Sequence, residues 1–454
     1  MKVRVRFRAL LALPCVVCSL FAAGPADNWP QWRGPHLDGR STTAKNLPVS
    51  WSETENVVWR TKLPSWAAAT PIIWDDTIFI TSAQEGFAAS KGSGVVDQAV
   101  SRIKSIIYPT DQLLLLALNR KDGSIRWQQV IGEGNTILNK QNMASPTPVT
   151  DGRHVWVMTG LGRLSCFDFE GKLVWKRNIS EDYWAFGLAF GYASSPLLDD
   201  GRLYIQVLHG MKTDEPSYLV AVNAASGKTI WKVERPTDAV SESPDSYSTP
   251  MLVEVNGQKQ LAVAGGDYLT GHDIDTGREL WRGGGLNPQK ASNYRTIASA
   301  LVVDDIVFAP SRVKPFIAFR AGGSGDVSTS HRLWSTEHGP DVPTPVSDGE
   351  RLFIVDDKGI ALCLNVKDGS EIWGRSRMEL GTYSASPVLA DGKIYSTNEE
   401  GSTTVIEAGD EFKILATNKL NDYTLASPAV SGSQIFIRTS NYLYCLADKS
   451  GASD

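Results

Sequence analysis

Short apolar runs separated by polar turns recur along almost the whole chain. Stretches such as 203–207, 352–355 and 435–438 are rich in β-branched, aromatic and leucine residues and are too short for helices, so they predict strands. Each follows an opening in which Ser or Thr precedes Pro and a turn comes soon after. Thr147-Pro148-Val149-Thr150-Asp151-Gly152, Ser195-Pro196, Thr344-Pro345 and Ser386-Pro387 are the clearest openings, and weaker copies begin at Thr70-Pro71, Thr249-Pro250, Ser299-Ala300 and Ser427-Pro428. A third run follows (115–119, 219–223, 361–365), then a turn such as Asp122-Gly123, Ser226-Gly227, Thr276-Gly277 or Asp368-Gly369. A fourth strand ends in Trp: Trp127, Trp175, Trp231, Trp281, Trp334 and Trp373. Four short strands repeated every ~40–50 residues predict the blades of an all-β propeller.

The ends of the chain set the count. The opening at Ser427 has three strand-like runs and no closing Trp, while 56–60, with Trp59, is an orphan fourth strand ahead of the first opening. Joining the two predicts an eight-bladed β-propeller of four-stranded antiparallel blades, its ring closed by an N-terminal strand that completes the last blade. The alternative is seven blades, should the Ala300 copy be degenerate. In the seventh copy Ile414-Leu415 stand where the Trp belongs.

Residues 1–26 begin with Lys2, Arg4, Arg6 and Arg8, continue through a short apolar run, and end in small residues, the order of a secretory signal peptide. Cys15 and Cys18 follow Pro14 and Val17, which argues against lipidation. The remainder, 27–454, is expected to be the propeller, periplasmic or extracellular. Without the four leader bases the formal charge falls from −5 to −9, which argues against a nucleic-acid partner. Nothing after the leader reaches the ~20 apolar residues of a transmembrane segment. Cys166, Cys363 and Cys445 share one phase of the repeat, where Ala117 and Ala221 stand elsewhere, so they predict small buried strand residues.

The Asp273–Trp281 copy, Asp-Ile-Asp-Thr-Gly-Arg-Glu-Leu-Trp, resembles the pyrroloquinoline-quinone (PQQ) repeat. The opening Trp29-Pro30-Gln31-Trp32-Arg33-Gly34-Pro35 resembles the start of secreted bacterial PQQ-binding-like β-propeller repeat proteins. The resemblance covers roughly 28–447 and implies the superfamily of the quinoprotein alcohol dehydrogenases and the non-enzymatic BamB-like assembly factors. One fold of this kind hosts several functions. The dehydrogenases hold PQQ between a Trp and a disulfide of adjacent cysteines, with Ca²⁺ and an Asp base; this chain has no Cys-Cys pair and no Cys-x-x-Cys-His.

Other chemistry is sparse. The six histidines are scattered and no metal spacing appears, so no metal site is expected; catalytic residues are unassigned. Asp273-Ile-Asp275 and the Gly-rich 283–285 and 322–326 predict turns and loops. The repeated Trp59, Trp127, Trp175, Trp231, Trp281, Trp334 and Trp373 are structural, filling the gaps between blades. Just before the inner strands stand large or charged residues: Trp66, Tyr192, Tyr247, Tyr294, Arg295, Asp341, Tyr383 and Tyr423. Two readings stand for them, an aromatic-lined binding funnel at the channel mouth or a set of braces between blades. Insertions at 83–110, with helical periodicity, and at 209–216 decorate the same face. The expected function is a non-catalytic scaffold binding an envelope or secreted protein or peptide, without a cofactor. A PQQ- and Ca²⁺-dependent dehydrogenase of alcohols or sugars is the alternative, and polysaccharide binding a third.

Overall fold

In the computed structural model, residues 27–84, 112–138, 140–312 and 314–449 are described. The expected leader and nearly all of the 83–110 insertion lie outside them. Eight separate sheets, each with four consecutive antiparallel strands at its heart, follow one another around the chain. Blade 1 comprises Ile72–Trp74, Thr77–Ala83, Gln112–Asn119 and Ile125–Glu133. Blades 2 to 4 run from Val149–Thr150 to Leu173–Asn178, from Leu197–Asp199 to Thr229–Glu234, and from Met251–Val255 to Glu279–Gly283. Blades 5 to 7 run from Leu301–Val303 to Arg332–Thr336, from Val346–Ser347 to Glu371–Arg377, and from Val388–Ala390 to Ile414–Lys419. The opening at Ser299-Ala300 therefore forms a full blade, and the seven-bladed alternative falls.

Blade 8 takes Ala429–Ser431, Gln434–Arg438 and Tyr442–Ala447 from the C-terminal part of the chain and Val57–Lys62 from the N-terminal part. The last two strands pair antiparallel with Trp59 opposite Cys445, closing the ring as the orphan strand implied. The last blade thereby gains its full four strands.

The outer-strand tryptophans explain the small residues of the third strands. Trp127, Trp175, Trp231, Trp334, Trp373 and Trp59 stand directly across from Ala117, Cys166, Ala221, Ala318, Cys363 and Cys445. A larger side chain there would hold the indole off the sheet. Each of these six rings donates its Nε1–H to a carbonyl in the turn region of the next blade, at 2.7–3.1 Å. The turn glycine of that blade packs beneath: a Cβ on Gly369, which has φ +70°, would stand 2.6 Å from the Trp334 ring. Burial pushes the three thiols up to about 12, as befits inert core cysteines.

Two joints depart from this scheme. In blade 4 the small slot is Gly271, and Trp281 folds over it to donate to Gln260 Oε1 of its own blade at 2.8 Å. A short parallel pairing of Gly325–Asp326 with Trp281 and Arg282 bridges blades 4 and 5 instead. Between blades 7 and 8, where the sequence has Ile414, the N-terminal segment supplies Trp51. Its ring stacks on Tyr395 at 6.2 Å, its backbone N–H donates to Asn418 Oδ1 at 2.9 Å, and Asn418 Nδ2 donates to the Val49 carbonyl at 2.9 Å.

Candidate binding site

The repeated Ser or Thr of each opening builds the waist of the central channel. The Pro that follows in most copies holds this residue extended and ready to begin a strand. The backbone N–H of Thr70 donates to Thr147 Oγ1, that of Thr147 to Ser195 Oγ, and so on through Thr249, Ser299, Thr344, Ser386 and Ser427, every link 2.8–3.1 Å. Among the described residues seven joints are linked in this way. At the eighth, Thr70 Oγ1 is buried without a partner. There the guanidinium of Arg438 donates to the carbonyls of Thr81 at 2.7 Å and Ser65 at 3.2 Å, and burial lowers its pKa to about 9.

One end of the channel is closed by the opening motif itself. Trp29 exchanges both backbone hydrogen bonds with Ile73 of blade 1, and the Pro30 carbonyl accepts from Thr150 of blade 2. Gln31 Oε1 accepts from Leu198 of blade 3. Arg33 then crosses to the far side, donating to the carbonyls of Pro387 at 2.6 Å and Pro345 at 2.5 Å, in blades 7 and 6. Leu37 packs into the core shared by blades 3 to 5, Arg40–Ser41 pairs with blade 7, and Ser431 of blade 8 bonds the Asp27 carbonyl. Residues 27–41 are thus a plug tied to blades all round the ring. Gly39, at φ +75°, lets the chain turn against Arg33: a Cβ there would lie 2.2 Å from the guanidinium carbon.

Above the plug lies a cavity of about 310 Å³ whose floor includes Trp32. The hydroxyl belt from Thr147 to Ser427 lines it, together with Phe190, Tyr247 and residues from the loops between blades. Its two cations are engaged: Lys140 Nζ with Glu399 at 2.5 Å, and Arg295 with Glu242 at 3.2 Å. Ser384 and Tyr423 hydroxyls also donate to Glu399. Asp341 and Asp357 line the cavity as well, and Asp341 Oδ1 is buried without a hydrogen bond. Burial pushes the Asp341 carboxyl up to about 6; Arg295 and Arg312 oppose the rise, and Asp357 and Glu242 add to it.

Of the residues singled out in the sequence, Tyr247, Arg295 and Asp341 come together on this wall. Tyr192 and Tyr383 do not: both are fully buried and donate their hydroxyls to the Gln206 and Glu379 carbonyls. Tyr294 bonds the Lys314 carbonyl away from the cavity. Trp66 and Tyr423 line a smaller depression beside Arg438. Large aromatics before an inner strand mostly brace neighbouring loops. Lys140, Asp357, Glu399 and Phe190 carry no signal in the repeat. The hydroxyl belt does carry one, the shared phase of Ser or Thr at every opening. Among the described residues no group of three or more His, Cys, Asp or Glu could hold a metal ion, and no helix is long and apolar enough to cross a membrane.

The family model described as outer membrane protein assembly factor BamB matches residues 40–182 and 110–375. The chain belongs to this family of PQQ-repeat propellers. The assembly factor BamB of Yersinia pestis is 21% identical over 374 residues, spanning 78% of this chain and 85% of that protein. Among solved structures, BamB from Moraxella catarrhalis superposes with a TM-score of 0.56 at 13% identity, covering 87% of this chain and 99% of its own. A europium-containing methanol dehydrogenase gives 0.66 at 10% identity, covering 93% and 98%. At such identities the structural likeness is one of fold, and the PQQ-repeat propeller is common to assembly factor and enzyme alike.

Proposed function

We propose that the chain is a non-catalytic scaffold of the cell envelope that binds a protein or peptide partner at the cavity-bearing face of its propeller. The observation that carries this reading is the construction of the channel: plugged from below by residues 27–41 and open above as a depression walled by hydroxyls, Tyr247 and Phe190. Such a depression receives a protruding side chain or loop. The assembly-factor relatives support the envelope location and a protein partner. So does the basic, apolar, small-residue order of 1–26. Affinity capture from envelope extracts tests it. The native protein should retain a partner that Val342→Trp, which fills the cavity, does not.

The likeness to methanol dehydrogenase favours a second reading, a PQQ- and Ca²⁺-dependent dehydrogenase. The charges of the cavity fit that cofactor poorly. Its cations are already paired with Glu399 and Glu242, and the charged groups on its wall without an ion-pair partner among the described residues are the carboxylates of Asp341 and Asp357. A quinone that itself carries carboxylates finds no unpaired cation there among the described residues. Titration with PQQ and Ca²⁺, followed by tryptophan fluorescence, decides between the two. Saturable, Ca²⁺-dependent quenching would favour the enzyme, and its absence the scaffold.

A further inference from the structure

The hydroxyl belt and the two carboxylates of the cavity wall have a common reading that goes beyond scaffolding and does not depend on a protein partner. Thr147, Ser195, Thr249, Ser299, Thr344 and Ser386 are each at most 5% exposed, and all line the cavity. Each oxygen accepts one backbone N–H from the preceding blade. A hydroxyl has one hydrogen and two lone pairs, so every member keeps a donor and an acceptor that no described residue takes up. The belt therefore offers a nearly closed ring of small, buried, two-way hydrogen-bonding groups, suited to a ligand that carries hydroxyls of its own.

The charge on the wall is also directional. Lys140 and Arg295 are neutralised by Glu399 and Glu242. Asp341 and Asp357 make no side-chain hydrogen bond or ion pair with any described residue, and Asp341 Oδ1 is buried. A buried carboxylate without a partner is costly, and a cation beside it removes the cost. At about 310 Å³ the cavity is at the small end of the range for ligand pockets, enough for one sugar-sized ring.

We propose that the cavity binds a small hydroxylated organic cation, an amino sugar or similar polyol amine, with its ammonium between Asp341 and Asp357 and its hydroxyls on the Ser/Thr belt. The belt positions the ring, and the carboxylates select the charge. Binding weakens in acid as Asp341 takes up a proton, under the opposing influences of Arg295 and Arg312 on one side and Asp357 and Glu242 on the other.

A matched series of sugars tests this by isothermal titration calorimetry on the full mature chain at neutral pH. D-glucosamine, D-glucose and D-glucuronate share a ring and differ in charge. The proposal predicts saturable glucosamine binding at least about tenfold tighter than glucose, and no glucuronate binding. Asp341→Asn and Asp357→Asn, conservative in shape, should each bring glucosamine down to the glucose level. Asp357→Asn keeps the test open if Asp341→Asn fails to fold. Equal affinity for glucosamine and glucose, preference for glucuronate, or glucosamine binding unaffected in both Asn variants overturns the proposal. So does the absence of binding by all three sugars at about 10 mM. None of these outcomes bears on partner capture at the same face, so the scaffold reading is judged separately.

Discussion

Trp281 and Gly271 face each other across the third and fourth strands of blade 4, and the indole occupies the space of the missing side chain, 2.0 Å from where a Cβ would stand. In six other blades that slot holds Ala or Cys, and the ring is directed outward to the next blade. One methyl group therefore decides whether the Trp serves its own blade or the joint beyond it.

Gly271→Ala forces the ring out of its seat and breaks the bond to Gln260. We expect a loss of about 1–3 kcal/mol, the usual result of overpacking. Cys363→Ala, which installs the residue that other blades already use, should cost less, about 1 kcal/mol. Urea unfolding of the two variants against the parent checks the contrast.

Trp51 stands in for the outer-strand Trp absent from blade 7. Trp51→Ala should cost about 3–5 kcal/mol, as for other large buried aromatics, and should expose the N-terminal segment to limited proteolysis. Asn418→Ala, which releases the Trp51 backbone N–H and the Val49 carbonyl, should give a smaller effect of the same kind.

Arg33 ties the plug to blades 6 and 7. Arg33→Met should lower stability by about 2–4 kcal/mol, because buried carbonyls lose charged donors. Arg33→Lys should recover less than half of that. An ammonium cannot reproduce the fork that serves the Pro345, Pro387 and Asp38 carbonyls together. Chemical denaturation measures both.

Asp245, Asp267 and Asp341 are each pushed up to about 6 by burial. A carboxyl whose pKa is higher folded than unfolded holds its proton more tightly in the folded chain. The stability it contributes is present below the unfolded value and is lost as pH rises through about 6, on the order of 1 kcal/mol per group. Thermal unfolding should show these groups favouring mildly acid over neutral solution. Asp341→Asn should raise Tm at neutral pH and leave it nearly unchanged in acid.

Much of this architecture is legible in the sequence because a propeller repeats its own instructions. The Ser/Thr-Pro openings, the Asp-Gly turns and the closing Trp recur at one phase, and the orphan strand with Trp59 already implied the closed ring. Even the copy at Ser299 keeps the hydroxyl that matters, accepting from Thr249 and passing its own N–H to Thr344. What is not repeated was not legible. Trp29–Arg33 looks like a family signature until its contacts reveal a plug, since its partners are scattered from Ile73 to Pro387 along the chain. Tyr192 and Tyr383 stand three residues before their belt hydroxyls and turn into the blades, whereas Tyr247, two residues before Thr249, lines the cavity. Lys140 and Glu399 meet, and Asp357 reaches the same cavity wall, only because three different loops converge.

The claim that the cavity face receives a protein partner is tested most directly by photo-crosslinking in intact cells. A benzoylphenylalanine in place of Val342, on the cavity wall, is compared with one in place of Ile230, exposed on an outer strand of blade 3. The account predicts a discrete protein adduct from position 342 and none from 230. An adduct from 230 alone would place the partner on the blade edges and contradict it.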